Sequence, residues 1–123
     1  MKLQGVVVTS EDPERLVDFY QKVFKKEKPD WTGGNYFGFD LDNGAFVIGL
    51  HDQVHGKNPQ PGRIMINFEM DDVQSEYDRI LSLGAKEVAK PYHPPEEDQM
   101  WLATLEDPDG NYIQLGSPVI LKN

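Results

Sequence analysis

The chain has 123 residues, no cysteine and a formal charge of −9 at neutral pH. That length suits one compact domain burying roughly two thirds of the surface its unfolded chain exposes, and the missing thiols exclude disulfides, thiolate nucleophiles and Cys-ligated zinc. The acidic balance argues against nucleic acid, which calls for clustered Lys and Arg, and the apolar run Val6-Val7-Val8 is too short for a signal or membrane segment, so a soluble, unprocessed, cytoplasmic protein is expected.

In chain order, Val6 to Ser10 reads as a strand that runs into an acidic helix start at Glu11 and Asp12. Asp12 is a good helix N-cap, Pro13 suits the first helical position, and Leu16, Phe19, Tyr20, Val23 and Phe24 follow at helical spacing, with Lys25 and Lys26 favouring the C-terminal end. A short strand near Trp31 comes next. Tyr36 to Leu41 and Ala45 to Leu50 flank the turn Asp42-Asn43-Gly44, which predicts a hairpin. From His51 to Gly62 the Gly and Pro content marks a connecting loop. Arg63 to Met70 alternates, with Ile64, Ile66, Phe68 and Met70 on one face and Met65, Asn67 and Glu69 on the other.

Asp72 then caps a second helix with the stripe Val73, Tyr77, Ile80, Leu81, ended by Gly84 as a left-handed residue. A strand near Val88, the acidic loop Lys90 to Asp98, and strands at Trp101 to Leu105 and Tyr112 to Leu115 complete the chain. The second half repeats the first: Val6 to Asp12 pairs with Ile66 to Asp72, the two caps Asp12 and Asp72 being 60 residues apart. Both halves read as β-α-β-β-β. The expected fold is therefore α+β, in one domain, with module one at 1–56, a linker at 57–61, module two at 62–119 and a tail at 120–123.

The last two strands are joined by Asp107-Pro108-Asp109-Gly110-Asn111, in which Pro108 presets a type I turn, Asp107 accepts backbone hydrogen bonds and Gly110 turns the chain into Tyr112-Ile113-Gln114-Leu115. This run resembles the closing signature of the glyoxalase/bleomycin-resistance/extradiol-dioxygenase group, the vicinal oxygen chelate superfamily. There the usual ending is Asp-Pro-Asp-Gly-Asn, a variable residue, an apolar residue, Glu, Leu. The resemblance covers nearly the whole chain, since the family has the same module order. It implies two modules whose sheets form a concave mixed cup with helices on the outer face, paired within one chain or across a homodimer.

The resemblance also implies where a metal would be held: near the start of the first strand and on the last strand of each module. The matching positions here are Gly5, Ile48 or Gly49, Met65, and Gln114 in place of the family's Glu. A divalent ion needs nitrogen or oxygen donors at about 2.0 to 2.6 Å, and of these residues Gln114 alone offers one, uncharged and unsuited to act as a base. No metal and no other cofactor is expected. His51 and His55 are spaced for a metal pair only on a helix, yet lie in a loop, and His93 sits in a loop as well. No serine has a nucleophile-elbow context and Gly33-Gly34 lacks the companions of a phosphate loop.

The residues expected to line a ligand site are Trp31, Tyr36, Phe46, His51, Met65, Asn67, Glu69, Trp101, Tyr112 and Gln114, a mixture of apolar walls and a few polar groups suited to a small organic molecule. Acidic charge beside aromatic rings favours a flat or cationic one. No residue is assigned as catalytic, Glu69 being the one candidate base. Three functions stay open: a metal-independent binding protein resembling the bleomycin-resistance branch, acting as a homodimer; a lyase, isomerase or epimerase of the same superfamily acting on a small oxygenated substrate; and a structural or regulatory module whose cup is filled by its own side chains.

Overall fold

The computed structural model describes residues 1–118; the end of module two at 119 and the tail at 120–123 lie outside the described residues. The chain divides into two compact units, Met1–Gly56 and Lys57 onward. Among the described residues each holds one helix and one four-stranded mixed sheet, an α+β arrangement.

In the first unit β1 (Gly5–Ser10), α1 (Pro13–Val23), β2 (Trp31–Gly33), β3 (Tyr36–Leu41) and β4 (Gly44–Leu50) build a sheet of order β1-β4-β3-β2. β1 runs parallel to β4, the other pairs antiparallel. Asp12 caps α1 by accepting from the Arg15 amide. The apolar stripe Leu16, Phe19, Tyr20 and Val23 is buried, and Tyr20 and Phe24 pack on Phe46 with ring centroids 4.6 and 5.3 Å apart. Phe24 also meets Phe39 edge-on. The helix therefore covers the sheet face that carries Phe39, Phe46 and Ile48.

The second unit repeats this order with β5 (Ile66–Glu69), α2 (Val73–Ser82), β6 (Lys86–Tyr92), β7 (Leu102–Glu106) and β8 (Tyr112–Gly116), giving β5-β8-β7-β6. Asp72 caps α2 by accepting from Ser75 N at 3.0 Å, and Gly84 takes φ +104°, the left-handed residue expected after the helix. Val73, Tyr77 and Ile80 are buried over the face that carries Ala103, Leu105, Ile113 and Leu115. Ile64 departs from expectation: it precedes β5 and is exposed.

The closing turn forms as its residues require. Asp107 is buried, and its Oδ1 accepts from the amides of Asp109 (2.8 Å) and Asn111 (3.0 Å) while Oδ2 accepts from Asn111 Nδ2 (3.0 Å). Gly110 has φ +81°. β6 runs longer than expected, through Pro91 to Tyr92. It is an edge strand with register shifts, the setting in which a strand tolerates a residue without an amide proton.

Candidate functional site

The helix-free face of the first sheet is apolar and aromatic. Strand pairing sets one row across it, Val7, Val47, Gly38 and Trp31, and a second, Thr9, Gly49, Tyr36 and Gly33. Gly38 and Gly49 act as platforms: a β-carbon at Gly38 would lie 1.9 Å from the Trp31 ring, and one at Gly49 2.4 Å from the Tyr36 ring. Both rings thus lie down on glycine, yet Trp31 keeps 42% and Tyr36 41% of its surface exposed, enough for a ligand to stack on. Val7, 59% exposed, extends this apolar shelf.

A polar clip anchors the shelf. Asp30, next to Trp31, accepts from Lys26 Nζ (2.5 Å) and from the Asp40 amide (2.7 Å), while its own amide donates to Gly38 O (2.9 Å). The Lys26 hydrogen bond, followed by the Asp40 amide, holds the Asp30 carboxyl below its ordinary value.

The helix-free face of the second sheet is polar in the corresponding place. Asn67 pairs with Gln114, Gln114 with Thr104 and Thr104 with Ala89, a row across all four strands. Glu69 lies two residues along β5 from Asn67, and Tyr112, paired with Glu106, shares the face of Gln114. Asp12 and Asp72 equate Asn67 with Val7. Since Val7 pairs with Val47 as Asn67 pairs with Gln114, Val47 is the first-unit counterpart of Gln114. The expectation of Ile48 or Gly49 at that position is corrected accordingly. Ile48 is fully buried under α1, and Gly49 lies one row further on.

Donor chemistry decides whether a family-type metal fits. A β-carbon at Gly5 would come 2.2 Å from the Ala45 carbonyl oxygen, so no ligating side chain fits there without moving backbone. Val47 is aliphatic, and Met65, just before β5, offers only a thioether. Gln114 is left with Asn67 and Thr104 as its strand neighbours, all uncharged. Among the described residues no group of three or more His, Asp or Glu side chains is placed to hold a metal ion. The residues present do not fit the family's metal.

Of the other expected site residues, Phe46 is corrected outright: it is 1% exposed in the core against Tyr20 and Phe24, on the helix side of β4. Trp101 likewise departs from the Gln114 face. It precedes β7 with the opposite parity to Leu102 and Thr104, and lines a recess of about 430 Å³ with Asp71, Asp72, Val73 and Gln74 at the start of α2. Its ring lies against His93, centroids 3.9 Å apart, and His93 Nδ1 donates to Met100 O at 2.9 Å. His51 lies beyond β4, its Nδ1 accepting from the Gln53 amide at 3.1 Å, and His55 sits beside Glu11 at 3.6 Å. The glycine platforms and Thr104 were missed by sequence reasoning. For Gly38 and Gly49 the only signal was glycine within a strand, which marks close approach of another group.

A family model described as a glyoxalase-like domain matches residues 5–116. The chain belongs to this glyoxalase-like family, within the glyoxalase/bleomycin-resistance/dioxygenase superfamily. Similar solved structures include a glyoxalase/bleomycin resistance protein/dioxygenase family enzyme from Burkholderia phytofirmans PsJN, with 19% identity, 97% of this chain and 100% of that one covered, and a TM-score of 0.78. A glyoxalase-related enzyme from Fulvimarina pelagi has 15% identity over 96% of this chain and 88% of its own, with a TM-score of 0.78. A lactoylglutathione lyase from Agrobacterium tumefaciens has 19% identity over 94% and 92%, with a TM-score of 0.69. At these identities the likeness is one of fold. No curated protein matches the chain. Among the described residues no helix is long and apolar enough to cross a membrane.

Proposed function

We propose that this protein is a metal-independent small-molecule binding protein of the sequestering, bleomycin-resistance type, acting in the cytoplasm as a homodimer. The observation that carries the reading is the donor set at the family's metal positions: a glycine with no room for a side chain, an aliphatic residue, a thioether and a neutral amide. A site that has lost its ion keeps its ability to bind through stacking and hydrogen bonding. In the first unit Trp31 and Tyr36 supply exposed aromatic surface; in the second, taken by itself, Asn67, Glu69, Tyr112 and Gln114 supply polar groups. The net charge of −9 favours flat or cationic organic ligands.

Titration with a panel of aromatic and cationic natural products, read by tryptophan fluorescence, tests this. One ligand bound per site, without turnover and unchanged by a chelator, is the expected result; no binding across the panel contradicts it. A second reading, a lyase, isomerase or epimerase acting on a small oxygenated substrate, has one observation in its favour. Glu69 lies exposed on the helix-free face beside Asn67, where a carboxylate can take a proton from a bound substrate. Turnover lost in Glu69→Gln but insensitive to chelation would select it.

A further inference from the structure

We infer that Asn67 and Gln114, paired neighbours on the row that Thr104 continues, select ligands bearing a neutral carboxamide, urea or lactam edge, an inference that rests on the binding reading above. The row is set by strand pairing, so its members stand about 4.8 Å apart. Asn and Gln each present one carbonyl acceptor and an NH2 donor, and Thr both donates and accepts. None of the three changes charge with pH. Asn67 is exposed and Gln114 half-buried, so their amide groups are open to a ligand, while Thr104, 4% exposed, continues the row as a buried residue.

The complement of such a row is a planar group that also donates and accepts without charge. A carboxylate would use the donors but set its lone pairs against the carbonyl oxygens, and Glu69, two residues from Asn67 on the same face, would repel it. An amidinium would satisfy the acceptors and leave the amide NH2 groups unmatched. Hydrogen bonding therefore favours amide over carboxylate on a shared aromatic body, and an amidinium, short of matched donors but attracted by Glu69, stands above the carboxylate as well.

Benzamide, benzamidinium and benzoate provide that series with one ring and three edges. Titrated into the full-length protein and followed by NMR, benzamide should shift the side-chain NH2 signals of Asn67 and Gln114 and bind at least ~10-fold more tightly than benzoate, the effect of leaving one hydrogen-bonding group unmatched. Asn67→Leu and Gln114→Leu should each weaken benzamide by ~10-fold and shrink its advantage over benzoate. The NMR shifts in the unmodified protein decide the matter even where a variant fails to fold. Benzoate binding as tightly as benzamide, or benzamide binding that leaves both NH2 signals unmoved, overturns the inference while the binding function stands. Failure of these fragments and of the whole aromatic and cationic panel overturns both.

Discussion

At the scale of single residues, Gly38 and Gly49 explain how bulky rings come to lie flat on a sheet. Gly38→Ala would push its methyl into the Trp31 indole, 1.9 Å from the β-carbon position. Because a ring edge rather than backbone is the obstacle, Trp31 swings away and the strand survives. The expected outcome is a changed Trp emission and at least ~10-fold weaker binding of aromatic ligands, with a melting temperature within a few degrees of the parent. An unaltered affinity would remove the shelf from the site. Asp107 has the opposite character, since its carboxylate accepts from two amides and the Asn111 side chain inside a buried turn. Asp107→Ala leaves those donors unmatched, and chemical denaturation should report a loss of about 2 to 4 kcal/mol.

At the scale of elements, α2 is tied to β6 through the hydrogen bond that Tyr77 OH donates to Glu87. Burial first, and then this bond, push the Tyr77 phenol up to about 12 from an ordinary 10.0. A raised folded value means that the unfolded chain releases the proton first, so the associated stability is fully present below pH 10.0 and is lost as pH rises towards about 12. Thermal melts across that window should show an alkaline loss that Tyr77→Phe reduces, and an identical loss in the variant would contradict the assignment. The Asp30 clip titrates at the other end. Its depressed carboxyl contributes stability above its ordinary 3.8 that fades as pH falls further. Asp30→Asn should flatten the acid-side change in Trp31 emission.

The helices, caps and closing turn were legible because each rests on local chemistry: Asp12 and Asp72 as caps, Gly84 and Gly110 at positive φ. The faces of β4 and β7 were less so. Ala45, Phe46, Val47 and Ile48 are all apolar, so alternation carries no sign of which side meets the helix, and Phe46 lies in the core against Tyr20 rather than on a ligand face. Trp101, one residue ahead of β7, was misread for the same reason of parity. In β5 the alternation of Asn67 and Glu69 with Ile66 and Phe68 marks two faces that differ in polarity, although the strand is shorter than the expected Arg63 to Met70 and Ile64 stands exposed before it.

For the molecule as a whole, the fold is that of the glyoxalase-like family and the family's metal chemistry does not follow from it. The strand register made that separation visible. It placed Val47 as the counterpart of Gln114 and set Asn67 and Thr104 beside Gln114, a relation that no count along the sequence could fix without the pairing of strands. Restoring one carboxylate should therefore not restore a metal centre. Gln114→Glu is expected to bind zinc or nickel no better than the parent in a calorimetric titration, because Gly5, Val47 and Met65 still supply no nitrogen or oxygen side-chain donor. The central claim is tested most directly by native mass spectrometry of the purified protein with an aromatic, amide-bearing ligand, before and after chelator treatment. Metal-free protein with the same ligand occupancy in both states is the predicted result; a near-stoichiometric divalent ion whose removal abolishes ligand binding would contradict it.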